Sequence, residues 1–273
     1  MSDNYGIFFT KLVASGNDFI LIDNVSGELD ARRLDYCSIA KDICRRHLSA
    51  GADGLLVLER SQKADFRMRI INSDGSEAEM CGNGARCAAF YASCNGFSDN
   101  LRMETGAGII GASIRSGNIK LKMSDPKDIR MGIKLGVGQS LVTVHHINTG
   151  VPHAVHIVED IKNFPVQEFG KKIREHSVFS PKGTNVDFVG EIKNNSAVLR
   201  TYERGVEAET LACGTGTVAS VLALGLLGQV TSPVKMTTQS GEILTVYYNM
   251  TPGHVISDVY LEGTARKVYE GKI

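Results

Sequence analysis

The chain has no excess of charge of one sign, no hydrophobic run long enough for a membrane span and no signal peptide. Its 273 residues include 30 basic and 30 acidic side chains, so the composition suggests no general affinity for nucleic acid. The apolar run VASVLALGLLGQV is too short to cross a bilayer, and the N-terminus lacks the basic and then apolar segments of a signal peptide. We therefore predict a cytoplasmic protein that binds neither nucleic acid nor a membrane.

The sequence also lacks the common metal-binding patterns. There is no C-x-x-C and no H-E-x-x-H, and the seven histidines are scattered, so no metal site is predicted. A chain of this size in a reducing compartment does not need disulfides, so its six cysteines are expected to be thiols. Four of them lie in apolar helical patterns and are expected to be buried: Cys37, Cys44, Cys87 and Cys94.

The other two cysteines stand in an arrangement that occurs twice. Residues 79–96 read EMCGNGARCAAFYASCNG, and residues 211–228 read LACGTGTVASVLALGLLG. In each segment a cysteine, Cys81 or Cys213, comes directly before Gly-x-Gly and a run of small apolar residues. The flanking segments also match between the two halves, at offsets between 131 and 134 residues.

This internal repeat predicts two similar domains. We place residues 1–122 and 263–273 in an N-terminal domain that contains Cys81, and residues 123–262 in a C-terminal domain that contains Cys213. Short segments rich in β-branched and aromatic residues predict many strands at short spacing, and hence mainly antiparallel sheets. The segments after the two cysteines predict buried helices, because nearly all their residues are small or apolar.

The predicted fold class is therefore α/β in the α+β sense, with two pseudo-symmetric domains that each curl a sheet around a central buried helix. The two central helices are expected to end at Asn95–Gly96 and at Gly228. Two further helices are predicted on the outside, over residues 32–48 and 166–176.

A cysteine at the start of a helix stands beside unpaired backbone N–H groups, which lower a thiol pKa from about 8.5 to roughly 3.5–7.5. The Gly-x-Gly that follows lets a ligand approach the backbone, whose N–H groups suit a carboxylate. Two such sites facing each other across a cleft would suit inversion of an amino-acid α-carbon. That reaction needs a base on one face, an acid on the other and donors for the enediolate, but no cofactor.

The sequence resembles the diaminopimelate epimerases, which are pyridoxal-phosphate-independent amino-acid racemases. The blocks that match, in order and nearly from end to end, are SGNDFILID, NSDGSEAEMCGNGARC, GVPHAV, GTNVDFV and ERGVEAETLACGTGT. The resemblance implies two α/β domains that clamp a small amino-acid substrate. It also implies interconversion of L,L- and meso-diaminopimelate in lysine and peptidoglycan synthesis. Members of the family often form homodimers, so a homodimer is one expected state.

The resemblance assigns roles to individual residues. Cys81 and Cys213 would be the acid–base pair, one as thiolate and one as thiol, in an order that depends on the bound stereoisomer. His153 and Glu203 would assist thiol ionisation, although a purely structural histidine is an equal alternative. The implied substrate-binding residues are Asn17, Asn72, Gly82, Asn83, Asn185, Glu203, Arg204, Gly214 and Thr215. Two arginines, Arg86 and Arg200, are expected to be solvated or structural.

The sequence departs from the family pattern in two places. Val151 stands where the family usually has an asparagine that helps to hold the distal amino acid, and loss of such a partner costs about 1–3 kcal/mol of selectivity. The segment ERGVEAETLAC is also one residue longer than the usual E-R-G-x-G-E-T-x-A-C. These departures predict that the enzyme tolerates other amino acids, including glutamate.

Other readings remain open. The nearest is a proline or hydroxyproline racemase, although those relatives usually have histidine after the first Cys-Gly. A thiol redox protein would cycle Cys81 and Cys213 through a disulfide, but would not require glycine-rich anion sites. A binding module that has lost catalysis is disfavoured because both cysteines are present. A dinucleotide site at residues 82–84 is excluded because the third glycine and the βαβ unit are missing.

Overall fold

In the computed structural model, which describes residues 6–273, the chain divides into two compact units. The first unit runs to Leu121 and takes in Gly263–Ile273, and the second is Lys122–Glu262. Each unit consists mainly of strands, so the predicted α+β class is confirmed. Among the described residues, no helix is both long and apolar enough to cross a membrane.

The two units contain the same succession of strands. The strands up to the first boundary are β1 (Phe8–Ala14), β2 (Asn17–Asn24), β3 (Gly54–Glu59), β4 (Phe66–Asn72), β5 (Glu77–Ala78), β6 (Asn100–Thr105), β7 (Gly108–Arg115) and β8 (Asn118–Lys122). Those that follow are β9 (Lys127–Val137), β10 (Ser140–Asn148), β11 (Pro152–Ile157), β12 (Asn185–Lys193), β13 (Ser196–Glu203), β14 (Ala208–Thr210), β15 (Val234–Thr237), β16 (Ile243–Met250) and β17 (Ile256–Thr264). The last strand, β18 (Arg266–Lys272), returns to the first unit and pairs with β1.

The pairing of these strands is also the same in both units. In the first, β1 is antiparallel to β18 and β2, β2 is parallel to β3, β3 is antiparallel to β4, and β4 is parallel to β6. In the second, β10 is antiparallel to β9 and β11, β11 is parallel to β12, β12 is antiparallel to β13, and β13 is parallel to β15. The sequence repeat is therefore a repeat of topology.

Among the described residues, each unit has two α-helices, a central one of 13 residues and a shorter one. The four helices are α1 (Tyr36–Ile43), α2 (Gly82–Cys94), α3 (Val166–Arg174) and α4 (Gly214–Leu226). The two central helices are α2, which contacts β1–β4 and β7, and α4, which contacts β10–β13 and β16. Residues 216–225 of α4 are all buried. The predicted ends are confirmed, with Asn95 as the C-cap of α2 and Gly228 at a φ of +71° after α4.

Three expectations about local structure are wrong. The helix predicted over residues 32–48 is shorter than expected and covers only α1. It begins late because the Asp35 carboxylate caps its N-terminus by accepting from the backbone N–H groups of Cys37 and Ser38, and it ends with Cys44 as its C-cap. Cys94 is exposed, because the last turn of α2 emerges from the core. Cys37, on α1, is only partly buried. Strand β9 was not predicted, although its apolar residues alternate with polar or glycine residues, namely Ile129, Met131, Ile133, Leu135 and Val137.

Helix α3 packs on β13 at a point where only glycine fits. A Cβ atom built on Gly170 would lie 2.5 Å from both Cβ and Cγ of Tyr202, whose side chain is fully buried. Because these atoms are close to the backbone of β13, they cannot rotate away. Replacement of Gly170 therefore forces α3 away from the strand.

We expect Gly170→Ala to lower the free energy of unfolding by about 2 kcal/mol. Overpacking costs up to about 3 kcal/mol, which exceeds the preference of about 1 kcal/mol of a helix for alanine over glycine. Urea unfolding followed by circular dichroism measures the change. The control is Gly136→Ala in exposed β9, where a Cβ meets no atom within 4 Å. Equal stability of the two variants would contradict the prediction.

Candidate active site

Both repeated cysteines are the N-cap residues of the central helices. Cys81 precedes α2 with φ −144° and ψ 119°, and Cys213 precedes α4 with φ −124° and ψ 114°. In each case the cysteine carbonyl accepts the first intrahelical hydrogen bond, from Ala85 N–H at 2.8 Å and from Thr217 N–H at 2.9 Å. The backbone N–H groups at residues 82–84 and 214–216 therefore precede the first closed turn, where an α-helix offers donors to an anion.

The second glycine of each Gly-x-Gly allows another strand to approach the first helical turn. A Cβ atom on Gly84 would lie 3.1 Å from Leu56 Cδ2 and 3.6 Å from Phe19 Cζ. A Cβ atom on Gly216 would lie 2.3 Å from Asp187 Oδ1. Neither glycine has a positive φ, so the requirement here is for space and not for backbone freedom.

In the first unit, the Cys81 thiol is linked to one of the predicted substrate-binding asparagines. The thiol donates to Asn17 Oδ1 at 3.8 Å, and Asn17 Nδ2 donates to Asp53 Oδ2 at 2.8 Å. Arg46 pairs with Asp53 at 2.8 Å and with Asp18 at 2.6 Å. Because Asp53 can only accept, its bond to Nδ2 fixes which way round the Asn17 amide stands and turns the amide oxygen towards sulfur.

The two other asparagines of the first unit are held by their own neighbours. Asn83 is buried, and its Oδ1 accepts from the guanidinium of Arg86 at 2.5 Å. Arg86 is also buried and donates to Ser15 Oγ at 2.8 Å, so its role is structural, as expected. Asn72 is exposed at the end of β4, where its side chain donates to Ser76 Oγ at 2.9 Å.

In the second unit, four side chains form a continuous chain of hydrogen bonds that ends at the thiol. Cys213 Sγ lies 3.5 Å from Thr215 Oγ1, which lies 2.9 Å from His153 Nε2. His153 Nδ1 lies 2.7 Å from Asp187 Oδ2, and Thr201 donates to the other oxygen of Asp187 at 2.8 Å. Because the Asp187 carboxylate can only accept a hydrogen bond, Nδ1 of His153 carries the proton and donates it in this bond. Nε2 is then free to accept a hydrogen bond from the Thr215 hydroxyl.

Two side chains of this hydrogen-bonded series, Asp187 and Thr201, were not predicted as members of the site, and Thr215 was predicted with another role. Asp187 was missed altogether, and Thr215 was expected to contribute its backbone and not its hydroxyl. A signal for Asp187 is present in the sequence, since an aspartate inside the apolar strand segment NVDFVG must be buried and therefore paired. It is 0% exposed, as is His153.

Glu203 lies close enough to Cys213 to affect the ionisation of its thiol. Burial, followed by the charges of Glu203 and Asp187, raises the pKa of the Cys213 thiol well above its usual value, although the Thr215 hydroxyl opposes the effect. Burial also raises the pKa of Glu203. The expected lowering of the thiol pKa by the helix start is therefore wrong for Cys213, because desolvation and two nearby carboxylates outweigh the helix dipole.

The remaining predicted residues of the second unit lie around the end of β13. Asn185 Nδ2 donates to the carbonyl of Pro152 at 3.1 Å, and Asn185 Oδ1 accepts from the backbone N–H of Arg204 at 2.9 Å. Arg204 also donates from its guanidinium to the carbonyl of Lys182 at 3.2 Å. Arg200 pairs with Glu209 at 2.7 Å and is structural, as expected.

Comparison with known proteins identifies the family. A sequence model of the family described as diaminopimelate epimerase matches residues 9–129 and 145–268. The chain belongs to the diaminopimelate epimerase family. It is 40% identical to the diaminopimelate epimerase of Aquifex aeolicus (strain VF5), over 97% of both chains. It is also 40% identical to that of Chlorobaculum tepidum, over 95% of this chain and 98% of the relative. The protein is accordingly an isomerase of the epimerase class.

Solved structures with low sequence identity share the fold. A phenazine biosynthesis protein from Bacillus anthracis superposes with a TM-score of 0.75 at 15% identity, covering 98% of both chains. A hydroxyproline epimerase from Agrobacterium vitis, solved with bound trans-4-hydroxy-L-proline, gives 0.73 at 14% identity, covering 99% of this chain and 93% of its own. At this identity the likeness concerns the fold alone, which has two pseudo-symmetric domains.

The electrostatics around Cys213 predict two opposite pH effects. Glu203→Gln removes a negative charge, so it should lower the pKa of the thiol and allow alkylation at lower pH. Thr215→Val removes a hydrogen bond that favours the thiolate and should move alkylation to higher pH. The measurement is the rate of iodoacetamide labelling of the Cys213 peptide against pH, by mass spectrometry. A shift in the same direction for both variants would contradict this account.

Proposed function

We propose that the protein interconverts L,L- and meso-diaminopimelate by acid–base chemistry between two thiols, Cys81 and Cys213, without a cofactor. The observation that carries the proposal is the pair of N-cap cysteines, each before a Gly-x-Gly at the start of a buried helix, in a chain of the diaminopimelate epimerase family. The proposal places the enzyme in lysine and peptidoglycan precursor synthesis.

The proposed reaction breaks the C–H bond at the α-carbon and forms a new one on the opposite face. One thiolate removes the α-proton, the electron pair moves into the carboxylate as an enediolate, and the other thiol delivers a proton to the α-carbon. The backbone N–H groups of Gly82, Asn83, Gly214 and Thr215 would stabilise the enediolate, because helix starts offer oriented donors and a partial positive charge. The thiol that gave its proton ends as the thiolate, so the reverse reaction starts from the product.

The raised pKa of Cys213 supports its entry into the reaction as the proton donor, because it holds the sulfur in the thiol form at neutral pH. In the opposite direction, Cys213 must lose its proton. The chain through Thr215 to His153 supports a route for it, since Nε2 can accept and Asp187 stabilises the imidazolium that results. In this scheme His153 assists ionisation of the thiol, whereas the charge of Glu203 disfavours the thiolate and helps to keep Cys213 as the proton donor.

Substrate selection is proposed to depend on Arg204, on three asparagines and on the residue at position 151. Arg204 would bind the distal carboxylate, since a guanidinium can donate to both oxygens at once. Asn17, Asn72 and Asn185 would bind the remaining polar groups. Val151, in the turn between β10 and β11, has no polar side-chain atom, and we propose that its presence relaxes selectivity towards amino acids such as glutamate.

The two-thiol mechanism predicts solvent exchange that depends on both cysteines. In heavy water, L,L-diaminopimelate should give an inverted product with deuterium at the α-carbon, as followed by NMR. Either Cys81→Ala or Cys213→Ala should reduce the rate at least 1,000-fold, because inversion needs both an acid and a base. The matched control is Cys94→Ala, an exposed cysteine on α2. Full exchange in either active-site variant would refute the mechanism, and none in the unmodified enzyme would favour the redox reading.

Relaxed selectivity predicts a gain of discrimination in Val151→Asn. Restoring a polar partner for the distal amino acid should raise the ratio of kcat/KM for diaminopimelate over glutamate about tenfold, within the range expected for one buried hydrogen bond. The same assay with Val255→Asn, which changes an exposed valine between β16 and β17, controls for a general effect of the substitution. An unchanged ratio would show that Val151 does not set selectivity.

A further inference from the structure

The turn between β13 and β14 carries the residue by which this chain is longer than the family pattern. It runs from Arg204 to Glu207, and the backbone N–H of Glu207 donates to the Glu203 carbonyl at 2.8 Å. Glu207 has a φ of +58°, a conformation that non-glycine residues seldom adopt. The surrounding contacts must therefore hold the turn in this shape.

Those contacts converge on the carboxylate of Glu207. Its Oε1 accepts from the backbone N–H of Gly205 at 3.0 Å and from Nε and a terminal nitrogen of Arg174 at 2.9 and 2.8 Å. Its Oε2 accepts from the hydroxyl of Tyr202 at 3.3 Å. The side chain of Gln167 on α3 donates to the Glu207 carbonyl at 3.3 Å. One exposed glutamate thus ties the turn to helix α3 and to β13.

Arg174, the last residue of α3, also packs against a second segment. A Cβ atom on Gly183 would lie 2.7 Å from a terminal nitrogen of Arg174 and 2.8 Å from its carbonyl. The residue before it, Lys182, supplies the carbonyl to which the guanidinium of Arg204 donates at 3.2 Å. Arg204 therefore contacts the segment at residues 182–183 and belongs to the turn at residues 204–207. Both segments contact Arg174.

We propose that the Glu207–Arg174 ion pair positions Arg204 for the distal carboxylate of the substrate, and that it is the means by which the longer turn keeps a working geometry. Glu207 and Arg174 are positioning residues, which act through Arg204 and do not touch the substrate. The inference rests on the proposed function, because it takes Arg204 as the residue that binds the substrate carboxylate.

The first test is steady-state kinetics with diaminopimelate on Glu207→Gln and Arg174→Gln. Each should raise KM about fivefold, the effect that a well-formed, partly exposed ion pair can support, and leave kcat within about twofold. The double variant should show no more loss than either single one, because both remove the same contact. Glu168→Gln breaks the 2.7 Å pair with Lys172 on the same helix and should change neither constant.

A second readout does not depend on turnover. Hydrogen exchange at the backbone amides of residues 203–207, measured by mass spectrometry, should be faster in Glu207→Gln than in the unmodified protein or in Glu168→Gln. If the unmodified enzyme turns over diaminopimelate but Glu207→Gln changes neither KM nor amide exchange, the positioning role is overturned and the function stands. If the unmodified enzyme does not turn it over, the proposed function fails, and amide exchange alone decides whether Glu207 holds the turn.

Discussion

The position of each thiol depends on the burial of the helix that follows it, along most of α4 and along the first two turns of α2. Residues 216–225 of α4 are buried, as are residues 83–89 of α2, so neither helix can shift without exposing the core of its unit. Each large apolar side chain in such a core contributes about 1.5–3 kcal/mol when fully buried. The packing of the helix therefore fixes the position of its N-cap cysteine. The same packing fixes the backbone N–H donors next to that cysteine. Each thiol is thus placed by an element that the core of its unit holds.

The two units share one topology but give their thiols different surroundings. Against the first turn of α2, the neighbours of Gly84 are the apolar side chains of Phe19 and Leu56. Against the first turn of α4, the neighbour of Gly216 is the carboxylate of Asp187, which holds His153. In the first unit the thiol donates to Asn17, which donates to Asp53, and Arg46 pairs with both Asp53 and Asp18. With the same topology, the two units therefore place different polar groups beside their thiols, an asparagine linked to Asp53 in the first and a threonine linked to His153 in the second.

The sequence predicts what depends on periodicity and on local chemistry, and fails where tertiary contacts decide. The offset between the halves predicted the repeat, and glycines predicted where α2 and α4 end. Strand β9 was missed although its apolar residues alternate, because Gly132 and Gly136 are of a type that weakens the signal for a strand. The ionisation of Cys213 could not be predicted either, because it depends first on burial and then on the charges of Glu203 and Asp187, and only the fold decides how deeply the thiol is buried and how close these carboxylates lie. The anchoring of the longer turn by Glu207 depends on Arg174, 33 residues earlier.

A fully buried aspartate is costly unless its charge is matched, so the presence of Asp187 constrains what surrounds it. His153 and Thr201 each donate to one of its oxygens, and the absence of a side chain at Gly216 leaves room for it beside the helix start. With that carboxylate and Glu203 nearby, a third negative charge on Cys213 is disfavoured, and the sulfur keeps its proton. The same carboxylate stabilises a protonated His153. Under the proposed mechanism, burial and these two carboxylates hold Cys213 as a donor at rest, and the Asp187–His153 pair makes the removal of its proton through Thr215 feasible. That dual effect is what a reversible reaction requires of a residue that must act in turn as acid and as base.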